Sequence, residues 1–217
     1  MKINKGNLSK LNAKYGGYLE GNKVDEFFAE FGIKFAAGHW CAGDFCDRFA
    51  PGGYCSNDSC FEHGPVAQVK RVAEAGIAGI EFHEQVFIDS RYRKDSLKIK
   101  EVKRALAGNK VKATNMNTNL FTDPKWKLGG VTNADRKTRS EAMAVALQGV
   151  DIASEVGCGS VALWPGSDGW DYNFEADYGE LLGWFVDGCV AINKKCKDYG
   201  LRFGVEAKLH EPREGNM

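Results

Sequence analysis

A phrase repeated three times constrains this chain more than anything else in it. A charged residue, one intervening residue and a glycine stand directly before an apolar run. Glu74-Ala-Gly76 precedes IAGIEF, Glu155-Val-Gly157 precedes CGSVALW, and Asp198-Tyr-Gly200 precedes LRFGVE. A glycine just past a helix takes the left-handed conformation that ends it without a Cβ penalty. Each phrase therefore predicts a helix end followed at once by a strand. The strands carry few charges, as strands covered on both faces do. The stretches before the glycines have helical periodicity. Pro65 opens the first, with Val66, Val69 and Val72 on one face. Leu97, Val102 and Leu106 mark a second, and Thr132 or Asn133 caps a third that turns Met143, Leu147 and Val150 inward. Leu181, Phe185, Cys189 and Ile192 follow helical spacing in a fourth. Residues 33–40 and 111–119 read as further strands, and 24–31 as a short leading helix.

Five strands alternating with four helices imply a parallel sheet with right-handed crossovers. An open doubly wound sheet and a (β/α)8 barrel both fit. The period discriminates weakly between them: Gly157 to Gly200 is 43 residues, and Gly76 to Gly157 is 81, or two units. Five such units fill the 217 residues, whereas a closed barrel of eight takes about 250 or more. Read as a barrel, the chain is an incomplete α/β fold of the (β/α)8 TIM-barrel type, and an open doubly wound sheet also fits these residues. About five strands lie within 33–217, after an N-terminal extension over 1–32.

Composition excludes several functions. Lys and Arg total 29, as do Asp and Glu, and the pI is near 6.9. That balance gives no support for nucleic acid or an anionic membrane as partner. The start is polar, and no apolar run approaches the ~18 residues of a membrane span. The expected location is the cytoplasm, where the seven cysteines stay reduced. Cys41, Cys46, Cys55 and Cys60 lie in a Gly-rich loop near His39 and His63. Their spacing is looser than that of zinc-ribbon pairs, so they read as reduced thiols rather than a zinc site. No strand leads into G-x-G-x-x-G or a P-loop, which argues against a nucleotide fold.

In either α/β architecture, chemistry sits in the loops after the strands. Polar residues gather there: His39 and Trp40 after strand one, and His83 and Glu84 after strand two. Asn117, Asn119 and Phe121 follow strand three, Trp164 and Asp168 strand four, and Glu206, Lys208 and His210 strand five. Glu206 and Lys208 are two apart and share one strand face. Turned inward, such a pair is either a structural ion pair or part of a site. Clustering at the same end of neighbouring strands favours the site. A strand-end His83 suits acid–base work or metal ligation, and Trp40, Phe121 and Trp164 suit a pocket that excludes water and stacks on a sugar face.

Five segments in order resemble the xylose isomerase family of metal-dependent aldose–ketose isomerases. GVEAKLHEPREGNM (204–217) is similar to its strand-five Glu-x-Lys-x-x-Glu-Pro-Arg signature. NTNLFTDPKWKLGGVTN (117–133) resembles its Asn-Leu-Phe-Thr loop and Gly-x-Thr turn. EAGIAGIEFHEQ, ALWPGSDGWDY and AAGHWCAGDFCDRF resemble its second-, fourth- and first-strand segments. The resemblance implies a TIM barrel, divalent metals (Mg, Mn or Co), a small monosaccharide substrate, a hydride shift between C1 and C2, and a homo-oligomer. It implies Glu206 as a metal ligand, Lys208 on the carbonyl-side oxygen and His83 at the ring oxygen or O1. Trp40 and Trp164 would shield the hydride path, and Phe121, with Asn119, would shape the pocket. Phe49 would reach a neighbouring subunit's site, and Glu211 would lie near the subunit contact or support the site. Two positions depart from the family. Val86 stands where its strand-two His has an Asp three residues on, and Ser167 replaces an Arg. The family's remaining metal ligands come from strands six to eight, so little isomerase turnover is expected of this chain alone. A sugar epimerase or metal-dependent hydrolase on the same barrel is the alternative enzyme class. A non-catalytic partial barrel that pairs through its sheet edge is the alternative outside enzymes.

Overall fold

The computed structural model describes residues 5–43, 62–207, 210 and 213–217. They fall into two compact units, Met1–Phe35 and Ala36–Met217. The first holds α1 (Lys5–Tyr15) and α2 (Asn22–Phe31). Tyr15 meets Phe27 and Phe31 edge-on at 5.1 and 6.1 Å. Glu30 accepts from Lys14 Nζ and Tyr15 Oη, each at 2.6 Å. α2 matches the helix expected over 24–31, whereas α1, whose apolar residues are few, was not anticipated.

The second unit contains β1 (Ala36–Gly38), α3 (Pro65–Glu74), β2 (Gly79–His83), α4 (Ser96–Asn109), β3 (Lys112–Thr118), α5 (Arg136–Val156), β4 (Ser160–Leu163), β5 (Gly169–Trp170), α6 (Tyr178–Asp198), β6 (Arg202–Val205) and β7 (Gly215–Asn216). Five strands form one parallel sheet in the order β1-β2-β3-β4-β6. Successive helices touch, α3 on α4, α4 on α5 and α5 on α6, so they make a single layer on one face. A doubly wound sheet reverses its strand order at a switch point. A sequential order under one helix layer is instead the wall of a (β/α)8 barrel, open among the described residues.

The glycine phrases do what they predict: Gly76, Gly157 and Gly200 have φ of 73°, 94° and 69°. Strand alternation sends Ile80, Phe82, Met116, Val161 and Leu163 toward the helices. There they join Val69, Val72, Val102, Leu106, Val150 and Ile192 in one buried core. Burying one such side chain is worth roughly 1.5–3 kcal/mol.

Four local expectations are corrected. Leu97 is 72% exposed, and Ile99 takes the inward position in α4. α5 is capped by Asp135, which accepts from Lys137 N and Thr138 N at 3.3 and 2.9 Å. Asn133 is spent in the preceding loop, donating to Gly129 O and accepting from Asp135 N. The first strand is shorter than 33–40, because Ile33 N closes the end of α2 on Phe28 O at 2.9 Å and His39–Cys41 turn into a 3-10 helix. β6 is largely exposed rather than covered on both faces, since it lies at the sheet edge. A small antiparallel pair, β5 with β7, was also unforeseen.

Candidate active site

Because successive residues of a strand face opposite ways, the face away from the helices collects Glu81 and His83 from β2 and Asn115 and Asn117 from β3. The register places His83, Asn117, Ala162 and Gly204 in one row across four strands. Above that row the strand ends carry an unbroken run of rings. Trp40 stacks on His83 at 4.5 Å with 16° between planes. His83 meets Phe121 edge-on at 5.7 Å, and Phe121 meets Trp164 at 4.4 Å and 71°. Four of the residues singled out in the sequence are thus brought together in one arc over β1 to β4.

The backbone makes room for this arc. A Cβ on Gly38 would lie 2.3 Å from the Trp40 ring, and one on Gly166 would lie 2.7 Å from Phe121 Cβ at a φ of 37°. Two loops hold the rings. In the first, Asn119 Oδ1 accepts from Phe121 N and Thr122 N, while its Nδ2 donates to Thr122 Oγ1. Its side chain builds the loop that presents Phe121. In the second, Asp168 reaches from the β4–α6 loop to the β3–α5 loop. Its Oδ1 accepts from Gly130 N, Thr132 N and Thr132 Oγ1 at 2.7–2.9 Å. The Gly-x-Thr turn of the sequence is the receptacle for this carboxylate, and burial raises its pKa to about 6.

Glu84 is also buried, and burial raises it to about 7. Its Oε2 accepts from Asn119 N at 2.7 Å, so its carboxylate serves the β3 loop. His39 is buried beside the arc, its ring 5.1 Å from that of His83. Burial lowers it to about 4, with the Gln68 side chain opposing.

Beneath the rings is a polar row. Asn117 Nδ2 donates to Glu206 Oε2 at 3.4 Å. Burial, with the Glu206 charge adding to it, raises the pKa of Glu81, and the Asn115 and Asn117 amides oppose the rise. Ser160 Oγ donates to Asn115 Oδ1 at 2.8 Å. Glu81 was missed in the sequence, where it reads as one charge in an apolar strand. Its signal was the spacing of two from His83, which puts both on the same face.

Arg213, of the Glu-Pro-Arg segment, is nearly buried. It donates to Asp171 and Glu175 carboxylates at 3.0 and 2.9 Å and approaches Ser167 O at 3.5 Å. It thereby ties the C-terminal segment to the β4–α6 loop, against the residue that stands where the related family has an arginine. Lys208, Glu211 and Phe49 lie outside the described residues, as do Cys46, Cys55 and Cys60; Cys41 is exposed.

Among the described residues no three His, Cys, Asp or Glu side chains converge as a metal-binding group. The donors on this face include the imidazole of His83 at the end of β2 and the oxygens of Glu206, Glu81 and the buried Asn117 Oδ1, which has no hydrogen-bond partner. The oxygens of this set fit hard cations such as Mg or Mn in part.

Residues 69–216 match the xylose isomerase-like TIM barrel family. A xylose isomerase of Thermus thermophilus is 29% identical over 154 residues, 69% of this chain and 40% of that protein. The chain therefore spans two-fifths of the length of that curated relative. A D-psicose 3-epimerase from Clostridium cellulolyticum H10, solved with D-tagatose, superposes with a TM-score of 0.59 at 14% identity, covering 85% of this chain and 55% of that one. A 3-keto-D-glucoside 4-epimerase from E. coli superposes with a TM-score of 0.53 at 12% identity, covering 69% and 53%. These likenesses show the fold.

Proposed function

Because the chain belongs to the xylose isomerase-like TIM barrel family, we propose that it forms the sugar-binding wall of a monosaccharide isomerase that interconverts an aldose and a ketose. The observation that carries this reading is the ring arc Trp40–His83–Phe121–Trp164 over the polar row of Asn117 and Glu206. Aromatic faces pack on the C–H face of a sugar and exclude water, while polar groups below meet its oxygens. His83, held flat against Trp40, hydrogen-bonds the ring oxygen or O1 as the ring opens. Lys208 holds the carbonyl-side oxygen. Trp40 and Trp164 shield the path of the migrating hydrogen. Glu206 would hold a divalent cation, which when bound supplies Lewis-acid polarisation of the carbonyl. In a homo-oligomer Phe49 reaches the site of a neighbouring copy, and Glu211 lies near that contact or supports the site.

The test is tryptophan fluorescence during titration with aldopentoses, aldohexoses and their ketoses in the presence of Mn, followed by NMR of long incubations in D2O. Saturable quenching that is lost in Trp40→Leu, with slow interconversion retaining the substrate hydrogen, is expected. A sugar panel that neither quenches nor converts would sink the reading.

Epimerisation is the second reading, favoured by Glu81. A second inward carboxylate beside Glu206 suits proton transfer at carbon, as does Val86 in place of the related family's Asp. Deuterium entering the product from D2O would select it over the hydride shift.

A further inference from the structure

The β4–α6 loop is held from two sides. Between Trp164 and Glu180 it carries Asp168, Asp171, Glu175, Asp177 and Glu180 and no lysine or arginine. Gly166 and Gly169 have φ of 37° and 146°, and glycine's freedom leaves the course of such a loop to its contacts. On the inner side Gly166 lies against Phe121, and Asp168 is bound by Gly130 and Thr132 of the β3–α5 loop. The C-terminal segment lies on the outer side. There β7 pairs with β5, and Met217 N donates to Asp168 O at 3.3 Å. Gly215 lies against the Trp170 indole, where a Cβ would stand 2.6 Å from the ring. Arg213 is the only Lys or Arg of this segment, residues 213–217. It is 6% exposed, and its donors are turned to the loop. Nε donates to Asp171 Oδ1 and Nη2 to Glu175 Oε1 at 3.0 and 2.9 Å, with Nη1 3.5 Å from Ser167 O. Glu175 also accepts from Asp171 N and Tyr172 N, so the carboxylate that meets Arg213 closes the turn as well. A planar fork facing several acceptors fixes direction, which a single point charge does not.

We infer that Arg213 is a positioning residue of the sugar site: it holds the β4–α6 loop by Asp171, Glu175 and Ser167, and through that loop it sets where the Trp164 ring stands against Phe121. Trp164 lies three residues before Ser167 and two before the Gly166 that packs on Phe121. The rings themselves meet at 4.4 Å. The inference rests on the proposed reading of the arc as the surface that receives a sugar. It adds to that reading a residue outside the arc on which the shape of the arc depends.

The experiment records the indole N–H resonances of the full chain by NMR and titrates aldoses and ketoses by tryptophan fluorescence in parallel. Arg213→Ala, Arg213→Lys and the double variant Asp171→Ala with Glu175→Ala are compared with the wild type. Trp170 touches the C-terminal segment and reports any local disturbance, while Trp40, at the other end of the arc, is the internal control. A shifted Trp164 resonance is expected in all three variants, with Trp40 unmoved and sugar affinity at least fivefold weaker. Lysine should restore neither signal, because it keeps the charge and loses the fork. Adding Arg213→Ala to the double variant should change nothing further, since both remove the same contact. The double variant also keeps the test decisive if Arg213→Ala fails to fold, because it empties the contact from carboxylates that are partly in water. A shift confined to Trp170, full recovery with lysine, or wild-type sugar affinity in Arg213→Ala overturns the inference. If no sugar quenches the wild type, the sugar reading falls, and the Trp164 resonance still decides whether Arg213 places that ring.

Discussion

Glu84 and Asp168 are buried carboxylates whose work is to hold loops, and their burial makes stability depend on pH. Glu84 titrates near 7 in the folded chain against an ordinary value of 4.5. A raised folded pKa means that the native state binds the proton more tightly. The resulting stability is complete below pH 4.5 and is lost as the pH rises through 7. Between pH 8 and pH 5 the wild type should gain about 2–3 kcal/mol relative to Glu84→Gln, read from urea denaturation at the two pH values. His39, lowered from 6.5 to about 4, acts the other way: its contribution is present above 6.5 and lost as the pH falls through 4. It is common to both proteins and cancels in the comparison. Equal pH slopes for the two would show that Glu84 is not desolvated as described. At this scale the sequence was legible where chemistry and position coincided. Trp40, His83, Phe121 and Trp164 all lie at strand ends and do meet. Asn119 also sits at a strand end, but its amide is short enough to bond its own loop, and local bonding of that kind leaves no trace in spacing.

Helix ends are legible where glycine, which takes the left-handed conformation without a Cβ penalty, closes them, whereas α4 ends on a left-handed Lys110 that leaves no such mark. Left-handed glycines end the helices before β2, β4 and β6 as expected. The N-termini were harder, because Thr132, Asn133 and Asp135 are all competent caps within one short stretch. The structure chooses Asp135 because Asn133 is already bonded on both sides of its amide. Asp95, Asp135 and Asp177 cap α4, α5 and α6 in the same manner. Asp135→Ala should cost about 1 kcal/mol without altering the ring arc. Denaturant melts that show no loss would place the cap elsewhere. Gly166→Ala, by contrast, forces a Cβ into Phe121 at a strained φ. It should destabilise by about 1–3 kcal/mol and weaken any sugar-dependent quenching of Trp164, since Phe121 must leave its edge contact. Full quenching in that variant would show that the arc tolerates the shift.

For the molecule as a whole, the 43-residue period fits a doubly wound sheet and a barrel wall alike, and the sequential strand order under one layer of helices decides for the barrel wall. What periodicity could not supply was exposure, because the same heptad-like spacing serves a covered face and an open one. Leu182, Val186 and Val190 follow each other at four-residue intervals along α6, and they are 55%, 49% and 61% exposed. They form a stripe on the helix that packs against β6, the edge strand, where Val205 is also exposed. An edge strand presents unpaired backbone groups, and an apolar stripe beside it presents surface that gains by leaving water. The chain by itself should therefore self-associate, with a sedimentation coefficient that rises with concentration. Val186→Lys combined with Val190→Glu should shift it toward the monomer while leaving the far-ultraviolet circular dichroism unchanged, because neither side chain contributes to the buried core. If the wild type sediments as a concentration-independent monomer, the stripe and the edge are tolerated in water. If the double variant associates as the wild type does, the contact lies on another face.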